Sequence, residues 1–271
     1  MTIKQIQDII KEAEGLRNLT QVLTEVSSLR LKRIRSQVEG ARTFFMEISS
    51  LYGLVKSMST ARLPDRHGTV SILLTSNFRF NGHLNNNIIR FFINQTSQLK
   101  TDRIIIGSLA KQIFKSTENV IPAVYFSFQK DIPTEQELMK LVEKISDYNQ
   151  ILVFYTEFKT VLLQLPTIKD ITQTQKKALQ NLSKTKSSFI LEPELTKILQ
   201  FFDTHVKIVL LRQAFLEAEL SRVATRLITM DQAQSNAQEF LEKQQILAGL
   251  AERNYENKKI LEAWAAGHYT I

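Results

Sequence analysis

Cysteine is absent from this 271-residue chain. That excludes a disulfide framework, a thiolate nucleophile and a cysteine-ligated metal, and it fits a reducing compartment. Long apolar runs are missing too: no stretch approaches the roughly 18 apolar residues of a membrane-spanning helix. Met1 to Asp8 read as polar and helical, without the apolar core of a signal segment, so no direct membrane insertion is expected. Proline is scarce and confined. All five (Pro64, Pro122, Pro133, Pro166 and Pro193) fall in the middle of the chain. Both ends are therefore free of a residue that costs a helix interior roughly 3 kcal/mol.

Net charge is +8 with a pI near 9.5, which points to an acidic partner. The excess is spread thinly, with no lysine block and no Arg-Gly tail, so nucleic acid is not the expected partner. The densest positive cluster is Arg30, Lys32, Arg33 and Arg35, interleaved with Leu29, Leu31 and Ile34. A solvated helix face is the bland explanation for it. Its place in the middle of a long helix favours a partner contact.

The proline-free ends carry helical periodicity. Ile34, Val38, Ala41, Phe45, Ile48, Tyr52 and Val55 step by four and three, an apolar seam on one face. Ile3, Ile6, Ile10 and Ala13 begin a similar seam upstream. Leu216, Leu220, Val223, Leu227 and Met230 repeat it near the other end, and Ala233, Ala237, Phe240, Leu247 and Leu250 carry it on with gaps. Two such helices can cover each other's seams in an antiparallel coiled coil. A 57-residue helix would reach about 85 Å. Gly15, Gly40 and Gly53 lie inside the first helix, where they read as places of close approach by the second.

The middle reads differently. Val70 to Thr75, Arg103 to Gly107 and Ala123 to Phe128 are short, β-branched or aromatic runs of the kind that form buried strands. Helical patterns follow at Leu84 to Gln95, Leu109 to Lys115 and Thr134 to Tyr148, the last opened by a capping box of Thr134 and Glu137. This alternation predicts a mostly parallel sheet with helical crossovers. Ile151 to Tyr155 and Thr160 to Leu165 are too close for a crossover and read as an antiparallel edge hairpin. The polar, lysine-rich stretch that follows reads as a mobile linker. The expected class is α/β plus a long coiled coil: a helix over residues 1–60, a Rossmann-like α/β domain over 66–190 with a linker at 168–190, and a second helix over 191–271.

Nothing in the chain supports catalysis, a cofactor or a metal. The histidines (His67, His83, His205 and His268) are scattered, without metal-ligand spacing. No glycine-rich phosphate loop follows the first strand. The turn Thr75-Ser76-Asn77 lies at a sheet's carboxyl edge, where doubly wound folds bind ligands, but a single glycine, Gly82, is on hand to admit a phosphate. A structural or interface role fits that turn better. Trp264 is either an anchor in a partner or the last seam residue.

From Glu217 to Ala237 the chain reads EAELSRVATRLITMDQAQSNA. Glu217, Ala218, Ser221, Arg226, Met230, Ala233, Asn236 and Ala237 there fit the carboxyl-terminal pattern of F-type ATP synthase gamma subunits, which the chain resembles. Three further segments agree. They are Leu19 to Leu23 with Val26 and Leu31 to Arg33; Thr75-Ser76 with Gly82, Asn85 and Asn87; and Tyr155 to Lys159 with Leu163-Gln164. The resemblance covers nearly the whole chain.

The resemblance implies a non-catalytic central rotor stalk. Its partners would be a hexamer of alpha- and beta-like subunits, an epsilon-like subunit and a membrane rotor ring, in a cytoplasmic complex held peripherally at the membrane. Acidic loops of the catalytic subunits would meet Arg30, Lys32, Arg33 and Arg35. Arg226, Met230, Asp231 and Asn236 would be further partner contacts. The chain departs from the family's Asp-Arg-Gly-Leu-Cys-Gly at Asn77 to Gly82, from its Gly-x-Lys-Gly at Gly107 to Ala110, and from its usual ending at Asn254 to Ile271. These departures are those expected of a divergent relative, one whose ATPase drives some task other than synthesis. A free-standing coiled-coil scaffold is the reading from a different class.

Overall fold

The computed structural model describes residues 2–57, 68–77, 81–116, 122–172 and 195–268. Helix α1 (Ile3–Ser57) is followed by β1 (Thr69–Leu74), α2 (Leu84–Thr96), β2 (Asp102–Ile106), α3 (Ser108–Ser116), β3 (Val124–Phe126), α4 (Glu135–Ile145), β4 (Gln150–Phe158), β5 (Gln164–Asp170) and α5 (Leu195–His268). The expected α/β sheet and the two long terminal helices are all present. Packing divides the chain into two compact units: Met1–Ser28 with Leu227–Ile271, and Leu29–Arg226.

Within the larger unit the sheet order is β3-β2-β1-β4-β5. Strand β1 pairs in parallel with both β2 and β4, and β2 with β3. Each parallel step needs a crossover, and α2, α3 and α4 supply them. Strands β4 and β5 form the expected antiparallel hairpin, but its second strand is shifted. Lys159 and Thr160 donate their amides to Leu163 O at 3.2 and 3.1 Å, closing a turn over 159–163. Val161 and Leu162 belong to that turn, with Leu162 83% exposed, so their apolarity marks no strand. Strand β5 instead runs to Asp170, which removes residues 168–170 from the predicted linker. As an edge strand it tolerates polar residues and Pro166. Of the rest of that linker, Ile171 is buried, while 173–190 lie outside the described residues, as does the boundary at 58–67.

Alternation along the strands sends side chains to two cores. Val70, Ile72, Leu74, Ile104, Ile106, Ile151 and Val153 face α4 (Leu138, Leu141, Val142, Ile145) and α5 (Leu210, Leu211, Phe215). Leu73, Ile105 and Phe154 face α2 and α3 through Ile88, Ile89, Phe92 and Phe114, with the Phe92 and Phe154 rings edge to face at 5.0 Å. Gly107, at the carboxyl end of β2, has φ +111. A Cβ there would lie 2.8 Å from the backbone carbon and oxygen of Thr75, so glycine is required by both conformation and space.

Helix α4 opens with the predicted capping box. Thr134 Oγ1 accepts from Glu137 N at 3.4 Å, and the Glu137 carboxylate accepts from Thr134 N at 2.8 Å. The Thr134 backbone hydrogen bond holds the Glu137 carboxyl below the usual carboxylate range. A depressed acid stabilises the fold above its unfolded value of about 4.5 and loses that contribution as pH falls through the folded value. Thr134→Ala should cost about 1 kcal/mol in denaturant melts. Glu137→Gln should flatten the acid-side fall in stability, which pH-resolved melts would detect.

Along α1, and along α5 beyond Ala224, burial follows a four-three spacing, the 3.5-residue period of a coiled coil. Residues 206–224 of α5 are instead buried almost all round, between the sheet and α1. On α1, Ile6, Ala13, Thr20, Ser27, Ile34 and Val38 are buried. On α5, Leu216, Leu220, Val223, Met230, Ala237 and Leu241 are buried. In the larger unit, Ile34 and Val38 pack against Leu216, Leu220 and Val223. In the smaller, Arg17 Nη1 donates to Gln238 Oε1 at 3.2 Å across the helix pair. Two sequence expectations fail here. Phe240, Leu247 and Leu250 are 44%, 47% and 50% exposed, because the seam's phase runs on through Gln244, Ala248 and Ala251, which are half-buried. Gly15 and Gly40 do not mark close helix approach, since a Cβ at either would meet nothing within 4 Å.

Candidate functional site

In the smaller unit the polarity of α1 is inverted. Seam positions 17, 20, 24 and 27 are Arg, Thr, Thr and Ser, and Thr20 turns its hydroxyl to Leu16 O and Arg17 O at 3.0 and 2.8 Å. Most apolar residues of the same stretch face away: Leu16, Leu19, Val22 and Val26 are each more than half exposed, while Leu23 is half-buried. At about 100° per residue, Leu19, Val22 and Val26 fall within an arc of roughly 60°. The sequence reading passed over this stripe, yet its signal is legible: extending the 34–55 seam backward in steps of three and four misses every one of these residues. A row of exposed aliphatics backed by a polar seam marks a partner surface. Beside it, Ile9, Ala13, Leu16, Asn236 and Phe240 line a groove of about 490 Å³.

In the larger unit α5 carries a chain of buried polar groups. Glu217 Oε1 accepts from Arg42 Nη2 and Gln213 Nε2, each at 3.0 Å, and Glu217 Oε2 accepts from the Tyr155 hydroxyl at 2.9 Å. Lys169 Nζ on β5 donates to Gln213 Oε1 at 3.1 Å. Burial, then the Glu217 charge, pushes the Tyr155 phenol far above its ordinary value, so it remains a donor. Burial pulls the Lys169 ammonium down, with Glu217 opposing. One carboxylate thus ties α1, β4 and, through Gln213, β5 to α5. A turn further on, Ser221 Oγ donates to Thr156 O at 2.8 Å.

The second polar cluster lies at the carboxyl edge of the sheet. Glu219 accepts from Arg222 Nε at 2.9 Å and from Arg30 Nη2 at 2.8 Å. Arg222 Nε also lies 3.7 Å from Asp131. Asp131 in turn accepts from Ser76 Oγ at 2.7 Å and Asn77 N at 2.8 Å. The turn after β1, where a doubly wound fold would hold an anionic ligand, is therefore closed by the chain's own carboxylate. Asn77 donates through Nδ2 to Phe128 O at 3.1 Å and accepts from Ser108 N at 2.9 Å. That donation is open to an amide and closed to an ionised aspartate. The departure at Asn77 from the resembled family thus meets the turn after β2 through the Ser108 amide.

The sequence-predicted partner residues separate into three groups. Arg30 and Arg226 converge on the acidic cluster: Arg226 Nη2 donates to Asn81 Oδ1 at 2.8 Å, and burial, eased by Glu219, lowers its pKa. Lys32, Arg33 and Arg35 are exposed. Arg35 meets Glu39 at 3.4 Å, whereas Lys32 and Arg33 form no ion pair among the described residues. Successive 100° steps place Arg30 on a different side of α1 from Lys32 and Arg35, so the four do not make one face. In the smaller unit Met230 is buried, while Asp231 and Asn236 are exposed. Trp264 is 72% exposed and no seam residue.

Two long helices with heptad seams, joined by buried carboxylates to a doubly wound sheet, define a helical-stalk class of protein. A family model described as ATP synthase matches residues 2–251. The chain belongs to the ATP synthase gamma-chain family. It is 24% identical to the ATP synthase gamma chain of Ehrlichia ruminantium, with 86% of each chain covered. It is 23% identical to that of Trichormus variabilis, with 96% of each covered. Its fold matches a chain of the Euglena gracilis mitochondrial ATP synthase OSCP/F1/c-ring structure with TM-score 0.65 at 15% identity, covering 98% of this chain and 94% of that one. It also matches a chain of the Tetrahymena thermophila central stalk and c-ring with TM-score 0.58 at 16% identity, covering 79% and 99%.

Proposed function

We propose that this chain is the non-catalytic central stalk of a rotary ATPase, turning inside a hexamer of alpha- and beta-like subunits and coupling its rotation to their ATP chemistry. The observation that carries the reading beyond family membership is the inverted stretch of α1. A shaft held in a ring needs an outward surface that is apolar enough to exclude water and poor in directional bonds, so that no single angle is deeply preferred. Leu16 to Val26 provide it, while the polar seam behind them fixes register through Arg17 and Gln238.

Lys32, Arg33 and Arg35 meet acidic loops of the catalytic subunits in this reading, and Arg226, Met230, Asp231 and Asn236 are further contacts or their supports. An epsilon-like subunit and a membrane ring complete the rotor, in a complex on the cytoplasmic side. Among the described residues no helix is long and apolar enough to cross a membrane. The departures at Asn77 and at Leu109 and Ala110 favour a second reading, a specialised relative whose ATPase drives mechanical work.

Affinity purification of the chain from its native cells tests the proposal against a free-standing scaffold. Recovery of a complex with one copy of this chain per hexamer is the expected result, and a chain that elutes without ATPase subunits overturns it. Replacing Lys32, Arg33 and Arg35 with glutamine should weaken coupling in graded, salt-sensitive steps, since exposed pairs contribute about 0.2–1 kcal/mol each. Coupled ATPase assays across a salt series would register this.

A further inference from the structure

We propose that a cavity in the larger unit binds a single-chain amphiphilic anion, an alkyl carboxylate. The cavity, of about 620 Å³, is walled by α1, by the segment between β3 and α4, and by α5. That volume falls within the usual range for small-molecule sites, about 300–1,000 Å³. Phe44, Ile48, Ile132, Ile208, Val209 and Leu216 give it an apolar lining. Ile208, Val209 and Leu216 are buried, while Phe44 remains half exposed beside them.

The polar groups lie at the rim. Lys130 and Arg212 are exposed there and form no ion pair among the described residues. Glu135 is the one carboxylate of the lining. His205 turns its Nδ1 to Phe201 O at 3.0 Å. The rim therefore carries a cationic excess above an apolar floor, complementary to a hydrocarbon chain ending in one negative charge. A peptide fits less well. Helices α1 and α5 use their backbone groups internally, and the capping box engages the Thr134 and Glu137 amides of α4. A peptide main chain entering the cavity would lose hydrogen bonds to water without replacement. An alkyl chain has none to lose.

Gly40 lies on the lining, and a side chain built there meets nothing within 4 Å. A leucine at this position would project into open space and is a better helix former than glycine. Gly40→Leu therefore adds bulk at the wall of the cavity without weakening the helix.

Calorimetric titration of the full chain with octanoate, decanoate and dodecanoate, below their micelle concentrations, tests the site. The expected result is saturable one-to-one binding that tightens about fourfold per added methylene. Lys130→Gln with Arg212→Gln should weaken it three- to tenfold, more at low salt. Gly40→Leu should abolish it with circular dichroism and melting temperature undiminished. Non-saturable uptake, equal affinity for an alkyl trimethylammonium of the same length, or undiminished binding by Gly40→Leu would overturn the proposal. So would failure of the carboxylates alongside saturable binding of an acidic, apolar peptide, which would assign the cavity to a protein partner.

Discussion

Arg222→Leu should destabilise the larger unit by about 3–5 kcal/mol, the cost of leaving buried carboxylates without their cation. Arg222, Asp131 and Glu219 are all nearly inaccessible to solvent. Glu219 would keep Arg30, at 2.8 Å. Among the described residues Asp131 would keep neutral donors alone, Ser76 Oγ and Asn77 N, with no cation within 4.0 Å. The loss should therefore fall mainly on Asp131, and Asp131→Asn should recover part of it in the double variant. Chemical denaturation of all four combinations measures that coupling. Additive losses would mean that Arg222 acts by packing and not by its charge.

Met230→Lys should cost the smaller unit on the order of 3 kcal/mol. Burying a methionine side chain contributes about 1.5–3 kcal/mol, and a lysine there must either bury its charge or part the helices to reach water. Met230 is 8% exposed. The sheet has its own two cores, so it should stay folded while helical signal is lost early in the melt. In the assembled complex, ATP hydrolysis should continue with less coupled work. A variant with full helix content and full coupling would show that residue 230 does not lie in the seam.

The seam shows how far sequence reading reaches. From Ile34 to Val55 and from Leu216 to Met230, apolar residues fall at the facing positions, so periodicity alone locates the interface. Between residues 16 and 29 that link breaks. The facing positions are Arg17, Thr20, Thr24 and Ser27, and the aliphatics other than the half-buried Leu23 point outward, so a search for apolar spacing finds a gap where the helix is continuous. The same confusion placed Phe240, Leu247 and Leu250 in the seam, when phase assigns Gln244, Ala248 and Ala251. Apolarity reports affinity for some surface and cannot say whose. In the hairpin, Val161 and Leu162 misled in the same way.

The polar clusters were hidden for another reason. Glu217, Ser221 and Arg226 stand out through family resemblance, but their partners Tyr155, Thr156 and Asn81 lie between 62 and 145 residues away. No local pattern announces a pairing across that separation. Capping is the opposite case. Thr134 and Glu137 are three residues apart, and the capping box forms as read.

The central claim is that this chain turns within its complex. Reconstitution with the alpha- and beta-like subunits, with a visible probe fixed to the sheet domain, tests it most directly under a microscope. On adding ATP the probe should rotate in one direction, pausing three times per turn as the three catalytic sites fire in sequence. A complex that hydrolyses ATP at full rate while the probe stays still would contradict the account.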